Sequence, residues 1–361
     1  MDFVAYLIMD LIRLLTNRKE KPYDRKRVDK TLGPWSAFKG PSAECIPGTR
    51  LPRKIVWHRP RLLFGRKREE IDFAIGVMTH WLRLEPKLMR FIAYFLRDTE
   101  KYKVREIPRP GREPRRIEEP MALLKFVQRR ILRRILEQTD LPDCVHGFVR
   151  GRSIGTAAAP HAHKEVVVCC DIENFFPTIT VRRVWGVFRS LIVNPRVSNL
   201  LAALTTYQGR LPQGAPTSPM IANLVLRRLD RRLAALTRSR GIEYTRYADD
   251  MIFSGGPDTP KILKAVRAFV AEEGFTLNEK KTRILRRGRR QEVCGLVVNE
   301  RVGIPRLWRR RLRAEVHRLA TGRDGAKAAP ARLRGELAFL QCFHPEEAGK
   351  HARKLLALLK Q

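Results

Sequence analysis

The stretch Val166-Val-Val-Cys-Cys-Asp-Ile172 restricts the fold of this chain more than any other. A short, apolar, β-branched run fits a buried central strand better than a helix of that length. It also carries a carboxylate, Asp171, to the end of that strand. Downstream, Ile221 to Leu236 has a helical period. Leu226, Leu229, Leu233 and Leu236 lie along one stripe, and Arg227, Arg228, Asp230, Arg231 and Arg232 are expected outside it. Ile242 to Ser254 reads as two strands meeting near Ala248-Asp249-Asp250, and Ile262 to Glu273 as a helix ended by Gly274. Strand, helix, hairpin, helix and strand in that order specify an α+β fold.

The flanks are basic. Residues 1–15 are apolar, but Asp2, Asp10 and Arg13 interrupt them, and they fall short of the roughly 20 residues that span a bilayer. An amphipathic helix packed on the protein is expected there, and no membrane partner. From Asn17 to about Arg68, Lys, Arg, Pro and Gly break every period, so residues 1–70 read as a basic, loop-rich N-terminal extension. Helical spacing covers Ile71 to Leu96. A strand at Tyr102–Ile107 then enters a tight turn at Pro108-Arg-Pro-Gly111, with Arg115-Arg-Ile117 returning. Met121 to Gln138 is an amphipathic helix with Leu124, Val127, Ile131 and Ile135 inside. After Pro305 a helical pattern runs through Leu307, Leu312, Val316 and Leu319. Residues 301–361 hold 15 Lys and Arg against 5 Asp and Glu, a net charge of +10.

Over all 361 residues, 73 Lys and Arg face 37 Asp and Glu, giving +36. Self-repulsion on that scale is tolerable mainly when a polyanion screens it, so nucleic acid is the expected partner. Six cysteines show no CxxC spacing and read as reduced cytosolic thiols, so a cytoplasmic location is expected, and neither a zinc site nor a disulfide framework is suggested.

The chemistry lies in three segments: Asp171, Leu211-Pro-Gln-Gly-Ala-Pro-Thr-Ser-Pro219, and Tyr247-Ala-Asp-Asp250. Nucleotidyl transfer needs two divalent cations about 3.5–4 Å apart, and carboxylates from two adjacent strands can supply that geometry. Mg²⁺ takes hard oxygen ligands and keeps several waters, so two or three Asp plus substrate phosphates suffice. An isolated Asp-Asp pair in a hairpin is usually a polar turn. The combination carries the reading.

These segments resemble the reverse transcriptases. Asp171-Ile-Glu-Asn-Phe-Phe-Pro-Thr-Ile179 is similar to that family's first metal-binding motif, Leu211–Pro219 to its nucleotide-cradling loop, and Tyr247–Asp250 to its Tyr-x-Asp-Asp box. Ile107-Pro-Arg-Pro-Gly with Arg115-Arg-Ile precedes them, while Gly274-Phe-Thr-Leu-Asn-Glu-Lys-Lys-Thr282 and Val293-Cys-Gly-Leu-Val-Val-Asn299 follow in the family's order. The wording is nearest to retron reverse transcriptases. Two departures stand out: Ala157-Ala-Ala-Pro-His161 replaces that branch's Asn-Ala-x-x-His, and Val293-Cys-Gly295 replaces Val-Thr-Gly.

The resemblance implies a right-hand polymerase, with fingers and palm over residues 71–300 and a helical basic thumb over 301–361. It implies that Asp171, Asp249 and Asp250 bind two Mg²⁺ ions, with Mn²⁺ as a substitute. Lys281, with Lys280 as its competitor, would sit near the leaving group. Arg109 and Arg115 would clamp the triphosphate, for which a guanidinium fork is suited. Phe176 would lie beneath the incoming sugar, and Gln213 with backbone around Gly214 would line the nucleotide pocket. Val293 and Gly295 belong to the strand that positions the primer end, and Trp308, Arg309, Arg310 and Arg311 would stack on or grip the duplex. The implied partners are a structured non-coding RNA serving as template and primer, the RNA–DNA product, a separate effector protein and host RNase H, with a place in antiphage defence. The rival readings are another bacterial branch, group II intron-like or abortive-infection type, and a catalytically idle RNA-binding scaffold. His146, His161 and His163 match no ligand spacing and read as structural or RNA-contacting.

Overall fold

A computed structural model describes residues 68–94, 101–109, 111–321 and 330–359. The expectations for residues 1–67 lie outside them. Ile71, Ala74, Ile75, Met78 and Leu82 share one face of α1 (Arg68–Leu82), and all five are buried. The helical period expected to run through to residue 96 is broken. Arg83 turns to φ +50°, and Pro86, whose missing N–H suits a first helical turn, starts α2 (Pro86–Tyr94). β1 (Tyr102–Arg109) and β2 (Arg112–Pro120) form an antiparallel hairpin with Gly111 at φ +68° in its turn. α3 (Ala122–Arg134) buries Leu124, Val127 and Ile131. Its buried Gln128 amide donates to Tyr102 Oη and to the Leu204 carbonyl, both at 2.8 Å.

β3 (Val166–Asp171) is buried at every position, as its composition requires. There follow α4 (Val181–Leu191), α5 (Pro195–Thr205), α6 (Ser218–Val225) and α7 (Arg227–Arg238). The single helix expected over 221–236 is therefore two, joined at buried Leu226. Leu229 and Leu233 remain on the buried stripe. β4 (Glu243–Tyr247) and β5 (Asp250–Gly255) form the expected hairpin, α8 (Leu263–Glu272) is stopped by Gly274 at φ +68°, and β6 (Arg283–Arg286) closes the series. The sheet order is β4-β5-β3-β6, antiparallel throughout. An apolar core surrounds β3, drawing on Phe188, Leu201, Leu229, Phe253 and Val266.

The chain divides into two compact units, with the boundary between Arg286 and Arg287. In the C-terminal unit, β7 (Glu292–Val293) and β8 (Leu296–Val297) are joined by Cys294 and Gly295, at φ +49° and +81°. Two consecutive positive φ values are what a two-residue hairpin with right-handed strand twist requires. The Asn299 side chain accepts from Gln291 N at 2.9 Å and donates to the Arg287 and Arg289 carbonyls, fixing the hairpin's base. α9 (Arg306–Ala320), α10 (Pro330–Phe343) and α11 (Pro345–Leu359) complete the unit. Leu312 and Val316 of α9 are buried, but Leu307, expected on the same stripe, is 61% exposed. No helix among the described residues is long and apolar enough to cross a membrane.

Candidate active site

Strand pairing brings the three carboxylates together. Asp171 ends β3 and lies opposite Asp250 on β5, while Asp249 occupies the turn between β4 and β5. Ile172 N donates to the Asp249 carbonyl at 3.3 Å, and Asn278 N to the Asp171 carbonyl at 2.8 Å, so the segment after Gly274 is tied to the strand end by its main chain. That tie delivers Lys281. Its Nζ donates to Asp171 Oδ1 at 2.8 Å and Oδ2 at 3.0 Å, whereas exposed Lys280 makes no such contact.

The electrostatics are those of a site short of positive charge. Desolvation and the adjacent Asp171 raise the Asp249 carboxyl above its ordinary range, with Lys281 and Arg115 partly opposing them. Desolvation, Asp249 and Asp171 push Asp250 up to about 6. Like-charged carboxylates held together are favourable hosts for a cation, and the Lys281 ammonium already occupies one side of Asp171. Hard oxygen donors at two strand ends therefore fit a divalent metal. Among the described residues no group of three or more His, Cys, Asp or Glu side chains is arranged to hold a metal ion by itself. Waters and substrate phosphates would complete the coordination, as Mg²⁺ prefers.

The other residues expected at a nucleotide site lie on the β1–β2 hairpin, on the segment after Asp171 and on the 211–219 loop. Arg115 is exposed on β2, near enough for its charge to act on Asp249. Arg109 is exposed at the end of β1, where its Nε donates to the Glu113 carbonyl at 3.0 Å. Phe176 is half-buried, edge-on to Phe175 with ring centroids 5.6 Å apart. Phe175 is the buried core residue and also meets Phe275. Half-buried Gln213 receives Glu118 N on its carbonyl at 2.6 Å, pinning the loop to β2. Gly214 has φ +130°, and a Cβ there would lie 2.9 Å from the Glu118 carbonyl oxygen. Its glycine is required by that close approach.

In the C-terminal unit, Val293 is fully buried and Gly295 sits in the β7–β8 turn. Trp308 is partly buried and edge-on to Phe339 at 5.6 Å. Arg309 donates to Glu347 at 2.7 Å, while Arg310 and Arg311 are exposed. Of the four residues expected to meet the duplex, two are thus engaged within their own unit and two face solvent.

One expectation is corrected. Asp230, placed on the outside of its helix by the arginines around it, is 0% exposed. Both its oxygens accept from the buried Arg246 guanidinium at 2.7 Å, and Oδ1 also accepts from Tyr244 Oη at 2.9 Å. No local pattern reveals a partner 16 residues away on β4. The stripe periodicity did hold a trace, since Asp230 falls beside Leu229 and Leu233. His161 is also buried, with Nδ1 2.6 Å from Ser254 Oγ and Nε2 2.7 Å from Thr245 Oγ1. It is structural.

Residues 107–310 match the family described as reverse transcriptase (RNA-dependent DNA polymerase). The chain is 38% identical to the retron Mx65 reverse transcriptase of Myxococcus xanthus over 327 residues, covering 84% of this chain and 74% of that one. It is 34% identical to the retron Ec86 reverse transcriptase of Escherichia coli over 269 residues, covering 73% and 82%. Telomerase from Candida albicans aligns in structure with a TM-score of 0.43 at 10% identity, over 72% of this chain and 56% of that one. The chain belongs to the retron reverse transcriptases, and it is an RNA-directed DNA polymerase of right-hand fold.

Proposed function

We propose that this polymerase copies part of a structured non-coding RNA into single-stranded DNA by Mg²⁺-dependent nucleotidyl transfer, priming from a 2′-hydroxyl of that RNA, in cytoplasmic antiphage defence with a separate effector and host RNase H. The observation that carries the catalytic part is the pairing of Asp171 with Asp250 across β3 and β5, with Asp249 in the adjoining turn. Bound divalent metal would activate the primer hydroxyl and neutralise the triphosphate and departing pyrophosphate. Asp171 and Asp249 would hold it, with Asp250 in support. Lys281 would exchange Asp171 for the pyrophosphate and neutralise or protonate it. Arg109 and Arg115 would hold the triphosphate, Phe176 would exclude a ribose 2′-hydroxyl, and Gln213 would line the base pocket. Val293 and Gly295 would steady the primer end, and Arg310 and Arg311 would contact the duplex.

The test is co-expression of the full chain with its flanking DNA, followed by analysis of the nucleic acid that copurifies. The reading expects a species attacked by both RNase and DNase, and its loss on Asp171→Asn. A protein that carries RNA alone, yet extends primers on added templates, would retain polymerase activity and overturn the retron product. An absence of Mg²⁺-dependent extension would favour the idle scaffold.

A further inference from the structure

A buried polar assembly backs the turn that presents Asp249. Arg246 and Asp230 are both 0% exposed, and their ion pair is bidentate, at 2.7 Å on each oxygen. The remaining donor capacity of Arg246 is not left idle. Its Nη1 donates to the Ala248 carbonyl at 2.7 Å and to Asn223 Oδ1 at 3.0 Å. Asn223 Nδ2 in turn donates to the Gly147 carbonyl at 2.9 Å. Gly147 lies against the other side of the turn, where a Cβ would stand 2.6 Å from Ala248 N. The main chain on either side is locked too: Arg246 N donates to the Cys144 carbonyl at 2.6 Å, and His146 N to the Arg246 carbonyl at 2.8 Å.

This assembly encloses a backbone that needs support. Ala248 sits at φ +56°, a left-handed conformation that residues bearing a Cβ seldom adopt and that persists where surrounding structure over-determines it. Stability alone does not account for the assembly, because a buried ion pair is commonly no better than apolar residues of the same volume. Its distinctive property is where the third and fourth hydrogen bonds go. One ends on the carbonyl of the residue immediately before Asp249, and the other leads through Asn223 to Gly147, whose backbone packs against that residue's N–H.

We propose that Arg246, fixed by Asp230 and linked through Asn223 to Gly147, is the positioning residue that holds the Ala248 turn and so sets the direction of the Asp249 carboxylate. This rests on the reading of Asp249 as a metal ligand. Arg246 touches neither substrate nor metal and acts through Ala248.

Two variants of the full chain test it from opposite sides. Arg246→Lys keeps a cation opposite Asp230, but an ammonium has three donors where the guanidinium makes four bonds, and lacks the planar fork that grips both Asp230 oxygens while reaching Asn223 and Ala248. Gly147→Ala keeps every charge and hydrogen-bonding group, and presses a methyl group on Ala248 N. Both should melt cooperatively, and kcat should fall about 10²-fold, the scale of a 1 Å misplacement. KM for primer–template should stay unchanged. Mn²⁺ binding, followed by the electron paramagnetic resonance of free ion and independent of turnover, should weaken in both. Adding Ala248→Gly to Gly147→Ala should restore part of kcat, because glycine accepts the displaced backbone. Folded variants with wild-type kcat and Mn²⁺ binding, beside an inactive Asp249→Asn, would overturn the inference and leave the metal reading intact. Active Asp249→Asn would overturn the metal reading and the inference with it. If Arg246→Lys does not fold, Gly147→Ala and its Ala248→Gly partner decide alone.

Discussion

Asp249 carries a cost in the folded chain, because desolvation and Asp171 both disfavour its charge. Asp249→Asn removes that charge while keeping volume, so the melting temperature should hold or rise. Mg²⁺-dependent DNA synthesis should fall by at least about 10²-fold, the scale on which one preorganised electrostatic contact acts. Substantial polymerisation by a folded variant would remove Asp249 from the metal site. Phe176→Ala should admit ribonucleotides, measured as incorporation of a ribonucleotide against its deoxy counterpart on one template. Unchanged discrimination in an active variant would make Phe176 a packing residue. The two neighbouring rings show how far the sequence reached. Position five after Asp171 pointed to Phe176, and the structure leaves that ring half-buried while Phe175 fills the core. Asp230 left only a trace, its place beside Leu229 and Leu233, because its burial depends on an arginine in another element.

The β4–β5 hairpin is held on its other face by His161, and that clamp has a pH signature. Thr245 Oγ1 donates to the Ala157 carbonyl at 3.0 Å, so its one proton is committed and it must accept from His161 Nε2–H. His161 Nδ1 then accepts from Ser254 Oγ–H, and the ring has no room for a second proton. Desolvation, with Lys164 and His146 adding to it, lowers its pKa from 6.5 to about 3. The unfolded chain therefore binds a proton that the folded chain does not. Stability is lost as pH falls from 6.5 towards 3, by about 1.4 kcal/mol per unit at full slope. Against a His161→Gln variant, the stability advantage of wild type in urea should shrink at that slope between pH 6 and 4, measured about those values. A constant difference would show that the imidazole is not neutral by constraint. The strands of this hairpin were legible as two short runs meeting at the polar turn Ala248-Asp249-Asp250. The breaks in the helices were less so. Pro86 was visible in the sequence, but the φ of +50° at Arg83 and the junction at Leu226 answer to packing, not to local composition.

A formal charge of +36 favours a polyanionic partner, but charge counts do not say which cations would meet it. In the C-terminal unit the structure sorts them. Arg309 and Arg313 both pair with Glu347, at 2.7 and 2.8 Å, and their bonds help hold that carboxyl down at about 2, although desolvation opposes them. Arg310 and Arg311 point to solvent. Replacing Arg310 and Arg311 with Gln should therefore weaken RNA binding and make the slope of log affinity against log salt shallower, by roughly 0.7–0.9 for each phosphate no longer neutralised. Arg309→Gln should leave that slope unchanged and instead lower the stability of the α9–α11 packing, since it strips one of two guanidinium partners from Glu347. If Arg310 and Arg311 meet only phosphates, their loss should weaken a random duplex and the cognate RNA equally. If they read a particular stem, the cognate RNA should lose more, because phosphate contacts position a ligand while base and shape contacts specify it. Titrations of wild type, the double variant and Arg309→Gln against both RNAs at several salt concentrations separate these outcomes. A slope changed by Arg309→Gln and untouched by the double variant would reverse the assignment, making the Glu347-bound arginine the one that leaves its partner for RNA.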